Sequence, residues 1–206
     1  MKIIITGSLG HISKPLVEEL VQKGHAVSVI SSNIERHTAI KGLGASSAIG
    51  AIQDVNFLTK TFTGADAVYL MEPPGSYFEK NPNPNSSWLH IANCYLESVI
   101  KSGITKIIHL SSVGAHTSEG VGMLETHYKV ENILKELPEN VSIKFMRPVG
   151  FYYNMFGFIP TDSSCYSLSF LSYNTRISLH LLSSNTGISL HQFCVNSDIT
   201  LQVYNL

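Results

Sequence analysis

Between Lys2 and Met146, six short runs rich in valine and isoleucine alternate with five amphipathic stretches, and this alternation constrains the fold more than any other feature. A brief β-branched run without a polar face is consistent with a strand covered on both sides. The runs are Lys2–Thr6, Ala26–Ile30, Ser47–Gly50, Ala67–Met71, Lys106–Ser111 and Val141–Met146. The intervening segments have helical spacing. Ile12, Leu16, Val17, Leu20 and Val21 share one face of a helix over Ile12–Lys23. Asn33–Gly42, Asp54–Thr61 (with Asp54 as N-cap) and Gly122–Leu137 follow, the last stopped by Pro138. After a loop bearing Pro73, Pro74, Pro82 and Pro84, Ser86 or Ser87 caps a helix running to Lys101. Six strands joined by helical crossovers predict an α/β fold, a doubly wound parallel sheet of order 3-2-1-4-5-6.

Composition excludes several alternatives. The 206 residues carry a net charge of −1 and are 44% hydrophobic, which argues against a dedicated nucleic-acid surface and against overall disorder. No apolar window reaches the ~18 residues of a membrane span. The opening MKIIITGS is too short an apolar run for a secretory signal. Cys94, Cys165 and Cys194 form no disulfide framework, so a reducing cytoplasm is the expected location. The spacing of cysteines and histidines matches no metal signature, and no metal is expected.

Chemistry enters at the first strand–helix turn, Gly7-Ser8-Leu9-Gly10-His11-Ile12. Two glycines three apart allow a sharp turn and close backbone approach to a pyrophosphate. The following helix offers unpaired N–H groups and the positive end of its dipole. A glycine pair alone is weak evidence. Here a strand precedes it and an amphipathic helix follows, the context that dinucleotide binding requires.

TGSLGHIS, KIIHLSSVGA (106–115), HYKVENIL (127–134) and MRPVGFYYNM (146–155) together resemble the NmrA-like family of atypical short-chain dehydrogenase/reductase proteins. The resemblance covers residues 1 to about 160. It implies a Rossmann domain that binds NAD(P), and relatives that are either reductases of quinones and similar small molecules or non-catalytic redox-sensing regulators. Ser13 stands where the family commonly has a third glycine. The second strand ends without the acid that would accept from a ribose 2′-hydroxyl. Ser32 and Asn33 can donate to a phosphate and Arg36 can reach it, which favours NADP while leaving NAD open. The resemblance places backbone from Met71 through Glu72 to Pro73, with Ser111, Ser112 and Pro148, on the nicotinamide side.

The superfamily's Tyr-x-x-x-Lys pair is absent; the aligned residues are His127-x-x-x-Glu131. Tyr128 and Lys129 are adjacent and point in different directions on a helix. His127 is a weak candidate acid or base, since histidine titrates near neutrality. Three functions therefore stay open: an NAD(P)-dependent oxidoreductase, a non-catalytic NAD(P)-sensing protein, and a truncated product lacking a substrate lobe. A regulator of this composition would act through protein partners, and the sequence leaves the oligomeric state undetermined.

Residues 161–206 differ in kind. They hold three charged residues (Asp162, Arg176 and Asp198), ten serines, and no lysine, glutamate or alanine. LSYNTRISLH (171–180) recurs as LSSNTGISLH (182–191) with eight of ten residues identical. The segment is either an unusual C-terminal region, such as a hairpin, or the product of a reading-frame shift near Pro160. The abrupt change at a family landmark favours the shift, since ordinary domains carry ~25% charged residues. Resequencing codons 155–165 tests this: a frame change is expected, and an intact frame that also encodes the expressed protein contradicts it.

Overall fold

The computed structural model describes residues 1–73, 84–149 and 151, with side chains except at positions 84 and 85, and the backbone of three later strands within 166–195. The chain divides into two compact units, Met1–Gly150 and Phe151–Leu206. In the first unit, β1 (Lys2–Ile5), α1 (Ser13–Gln22), β2 (Ala26–Ser31), α2 (Arg36–Gly42), β3 (Ser46–Ile49) and α3 (Val55–Phe62) come first. They are followed by β4 (Ala67–Leu70), α4 (Pro84–Ser102), β5 (Lys106–Leu110), a 3₁₀ turn (Gly122–Leu124), α5 (Glu125–Leu134) and β6 (Ser142–Met146). The sheet order is β3-β2-β1-β4-β5-β6, with every pair parallel, as the alternation predicts.

Successive side chains of a strand point to opposite faces, and the core divides accordingly. Ile4, Val68, Leu70 and Ile107 join a cluster with Phe62, Tyr95 and Leu134 from α3, α4 and α5. Ile5, Val27, Val29 and Tyr69 pack with Val17 of α1 and Ile40 of α2. Asp54 caps α3 as expected, accepting from the N–H groups of Asn56 at 2.9 Å and Phe57 at 3.0 Å.

Three helix starts differ from expectation. α2 begins at Arg36 because Asn33 Oδ1 accepts the Glu35 N–H at 2.8 Å, closing a turn that competes with the helix. α4 begins at Pro84, where the missing N–H costs nothing in a first turn, so Ser86 and Ser87 lie inside the helix. The stretch from Gly122 opens as a 3₁₀ turn and becomes α-helical only at Glu125.

In the second unit, β7 (Tyr166–Ser172), β8 (Thr175–Ser184) and β9 (Gly187–Val195) form an antiparallel sheet of order β7-β8-β9. Each copy of the ten-residue near-repeat spans one strand-to-strand connection. His180 pairs in register with His191, its counterpart in the second copy.

Leu70 is fully buried between the sheet and the α3–α4–α5 layer. Leu70→Ala is expected to lower unfolding stability by about 2–5 kcal/mol, read as a shift of the denaturant midpoint with an unchanged slope.

Candidate functional site

The C-terminal ends of β1, β4 and β5 converge where ligands of doubly wound sheets bind. At β1, Gly7 adopts φ +87°, and a Cβ there would lie 2.3 Å from Met71 Sδ and 2.5 Å from Ser13 Oγ. Only glycine lets the loop pass so close to the end of β4. Ser8 follows with φ +53°. Gly10 donates to the Gly7 carbonyl at 3.2 Å, closing the turn before α1. No side chain caps α1; of its first N–H groups, that of Lys14 donates to the Gly10 carbonyl at 2.9 Å and Pro15 has none, which leaves the loop backbone before the helix to face a phosphate. This uncapped start, beside a glycine that tolerates no side chain, fits a dinucleotide pyrophosphate. Ser13 is fully buried, and its hydroxyl donates to the Thr6 carbonyl at 3.0 Å, so the residue that replaces the third glycine ties helix to strand.

Beside this loop, Arg36 Nη1 donates to Ser8 Oγ at 3.1 Å, and Ser8 Oγ donates to Ser31 Oγ at 3.0 Å. The Asn33 N–H also donates to Ser31 Oγ, at 3.2 Å. The structure thus brings Ser8, Asn33 and Arg36 together and adds Ser31, which closes β2 one residue beyond the strand read from the sequence. Ser32 and His11 are exposed, Leu9 and Ile12 half-buried.

Met71 is held on both sides. Its N–H donates to Thr6 Oγ1 at 2.8 Å, and its carbonyl accepts from the Tyr95 hydroxyl at 2.8 Å. Burial and then Glu72 push the Tyr95 phenol well above its ordinary value, so Tyr95 stays a donor. Pro73 is exposed, whereas the Glu72 side chain turns inward.

On the β5 side, the Ser111 N–H donates to the Met146 carbonyl at 2.7 Å and the Val113 N–H to the Pro148 carbonyl at 3.0 Å. These bonds draw Ser111, Ser112 and Pro148 into one wall. Ser111 Oγ donates to Glu131 Oε1 at 2.6 Å. Arg147 grips the same carboxylate in two-pronged fashion, with Nε 2.8 Å from Oε1 and Nη2 on Oε2. A buried carboxylate therefore occupies the position of the superfamily's lysine, and its cation arrives from the end of β6. Burial raises the Glu131 pKa, but the hydrogen bonds from Arg147 and Ser111 outweigh it and hold the group below its ordinary 4.5.

His127 lies one turn before Glu131, half-buried, with the Trp88 ring edge-on at 4.9 Å between centroids. Burial is the main reason its pKa falls below 6.5, so the ring is neutral at neutral pH. His109, fully buried on β5, places Nε2 3.1 Å from each Glu72 oxygen. Sequence reasoning missed His109, Glu131 and Arg147 as site residues. The latter two pair across 16 positions and two elements, a contact that no local spacing reveals. Among the described residues, no cluster of histidine, cysteine, aspartate or glutamate could hold a metal; the side chains of Cys165, His180, His191 and Cys194 lie outside them.

The depressed Glu131 pKa has a stability consequence. A carboxylate with a lower pKa folded than unfolded contributes stability that is complete above the unfolded pKa and is lost as pH falls through the folded one. The stability difference between wild type and Glu131→Gln is therefore expected to be largest at neutral pH and to shrink below pH ~4. Denaturant midpoints across that range check this; a difference independent of pH contradicts it.

The NAD(P)H-binding family matches residues 7–143. No curated protein matches the chain. Among solved structures, the chain is similar to a protein from Bacillus halodurans assigned as an NAD-dependent epimerase/dehydratase, with 23% identity and TM-score 0.59 over 72% of this chain and 70% of that one. It is also similar to the Citrobacter triphenylmethane reductase complexed with NADP(H), with 17% identity and TM-score 0.62 over 76% of this chain and 52% of that one. A third is the NADPH-dependent quinone oxidoreductase of Escherichia coli, with 19% identity and TM-score 0.58 over 75% and 50%. The chain spans about half the length of these two reductases. At such identities the likeness is one of fold. Family match and fold are consistent with the NmrA-like, atypical short-chain dehydrogenase/reductase resemblance carried by the four motifs, and the chain belongs to the NAD(P)H-binding family.

Proposed function

We propose that the protein is an NADPH-dependent reductase of a small molecule such as a quinone, working in the cytoplasm. The observation that carries this reading is the Arg36–Ser8–Ser31 cluster beside the glycine turn, at the end of a strand without a carboxylate. An acid at that position would accept from a ribose hydroxyl; an arginine with two hydroxyls suits an adenosine 2′-phosphate.

In this reading, backbone N–H groups from Gly7 to Ile12 bind the pyrophosphate, and Ser32, Asn33 and Arg36 bind the 2′-phosphate. Thr6 and Tyr95 hold Met71 so that backbone from Met71 through Glu72 to Pro73 faces the nicotinamide ribose, opposite Ser111, Ser112 and Pro148. A bound reduced nicotinamide supplies a hydride. Trp88, beside His127, offers an aromatic wall to a flat acceptor.

A second reading, cofactor sensing without turnover, draws support from Glu131, whose carboxylate is sealed by Arg147 where the superfamily has a lysine. Residues 161–206, read from composition as a separate tail, leave open a product without a substrate lobe.

Thermal shift with NADPH and NADH tests the binding. A dinucleotide at 100 times its Kd is expected to stabilise the protein by about 2.7 kcal/mol, with NADPH effective at lower concentration than NADH. Arg36→Ala should weaken NADPH roughly tenfold or more and leave NADH unchanged, since it removes a charge-assisted contact to the extra phosphate. No shift with any nucleotide contradicts the reading. NADPH oxidation with a quinone panel separates turnover from sensing.

A further inference from the structure

Balancing Glu131 uses only part of Arg147. A guanidinium carries five N–H donors in one fixed plane. Glu131 takes one from Nε and one from Nη2, along the side of that plane. The second N–H of Nη2 and both of Nη1 have no partner among the described residues. They form the end of the fork, which points away from the carboxylate on its side. The Arg147 side chain is 37% exposed and that of Glu131 is 0% exposed, so the held side is sealed and the end is the open part. The group is also fixed in place. The residues on either side of Arg147 are bonded to the end of β5, Met146 through the Ser111 N–H and Pro148 through the Val113 N–H. Ser111 Oγ and Arg147 Nε share Glu131 Oε1. Lys135 Nζ stands 3.7 Å from Oε2 of the same carboxylate. Glu131 thus meets two cations, and the cluster keeps a positive charge. Glu125, the acid in the first turn of α5, is already paired with Lys129 at 2.8 Å. One turn before Glu131, on the same helix face, His127 packs against Trp88 with ring centroids 4.9 Å apart.

We propose that the end of the Arg147 fork binds a carboxylate carried by a flat organic molecule, whose ring lies toward Trp88 and His127. Two parallel N–H donors match the two oxygens of a carboxylate, and the spare positive charge favours an anion over a neutral carbonyl. In the reductase reading, on which this part rests, that molecule is the hydride acceptor, and the substrate class narrows to a quinone or similar flat acceptor bearing an acidic group. The carboxylate site itself does not depend on turnover. The carboxylate is held and takes no part in bond making. Glu131 and Ser111 are positioning residues that act through Arg147.

The test is calorimetric titration of the full chain with benzoate and with its neutral isostere benzamide, with and without NADPH. Wild type is expected to bind benzoate roughly tenfold more tightly than benzamide, since only benzoate makes charge-assisted bonds. Arg147→Lys keeps a cation for Glu131 but replaces the fork with a point charge, and should remove most of that preference while leaving benzamide unchanged. Glu131→Gln combined with Arg147→Met removes both charges together, so that neither is stranded, and should abolish the preference. Arg36→Ala should leave benzoate binding as it is, which separates this site from the phosphate end of the crevice. Equal affinity for the two probes in wild type overturns the inference, whatever the variants do. So does a preference that survives in the double variant, or one that is lost with Arg36. If no dinucleotide binds, the reductase reading fails and the benzoate titration without nucleotide still decides the carboxylate site.

Discussion

The cofactor end of this structure depends on one buried hydroxyl, that of Thr6. It accepts the Met71 N–H at 2.8 Å and donates to the Tyr69 carbonyl at 3.2 Å. The Thr6 N–H donates to the same Tyr69 carbonyl, and the Thr6 carbonyl accepts Ser13 Oγ. One residue thus locks the end of β1 to the end of β4 and to the start of α1. Gly7 can press against Met71 because those three ends are already fixed, and the turn that faces the phosphates inherits their geometry. Satisfied buried polar networks hold a backbone in one arrangement, which a site that must accept a pyrophosphate needs.

The opposite end of the crevice inverts the charge pattern of its superfamily. A lysine on the helix after β5 would leave a cation free for ribose and phenol. Here Glu131 stands there, fully buried; Arg147 balances its charge and Ser111 donates to it. Removing Arg147 would strand a buried charge, and removing Ser111 would cost one of the carboxylate's hydrogen bonds. The tyrosine–lysine route to proton transfer is absent from α5, where His127 and Glu131 stand. Tyr69 adds no alternative. Burial, aided by Glu72, pushes its phenol up to about 12, and its hydroxyl is buried without a partner among the described residues.

Much of the fold was legible because parallel sheets write themselves as apolar runs: six runs became six strands in the predicted order. Asp54 announced its helix because a cap is a local event. The starts of α2 and α4 were misread for equally local reasons, an asparagine turn at Asn33 and a proline tolerated in a first turn at Pro84. At the site, Gly7, Ser8, Met71 and Ser111 could be placed from strand ends. Ser31, Tyr95, His109 and Arg147 could not, since each matters through a partner distant in sequence. Glu72 was read for its backbone, whereas its side chain turns inward to His109. The second unit carries no site residue from the sequence reading, and its near-repeat explains only that each copy crosses one strand connection.

The central claim is that the ends of β1, β4 and β5 form a dinucleotide site with its phosphate end at Gly7–Ile12. A crystal structure of the full chain grown with NADPH tests it most directly. The account predicts the pyrophosphate against the backbone of Gly7–Ile12, the 2′-phosphate on Arg36, and the nicotinamide beside Met71 and Ser111. A dinucleotide bound elsewhere, or bound in reverse with its nicotinamide at Arg36, would contradict it.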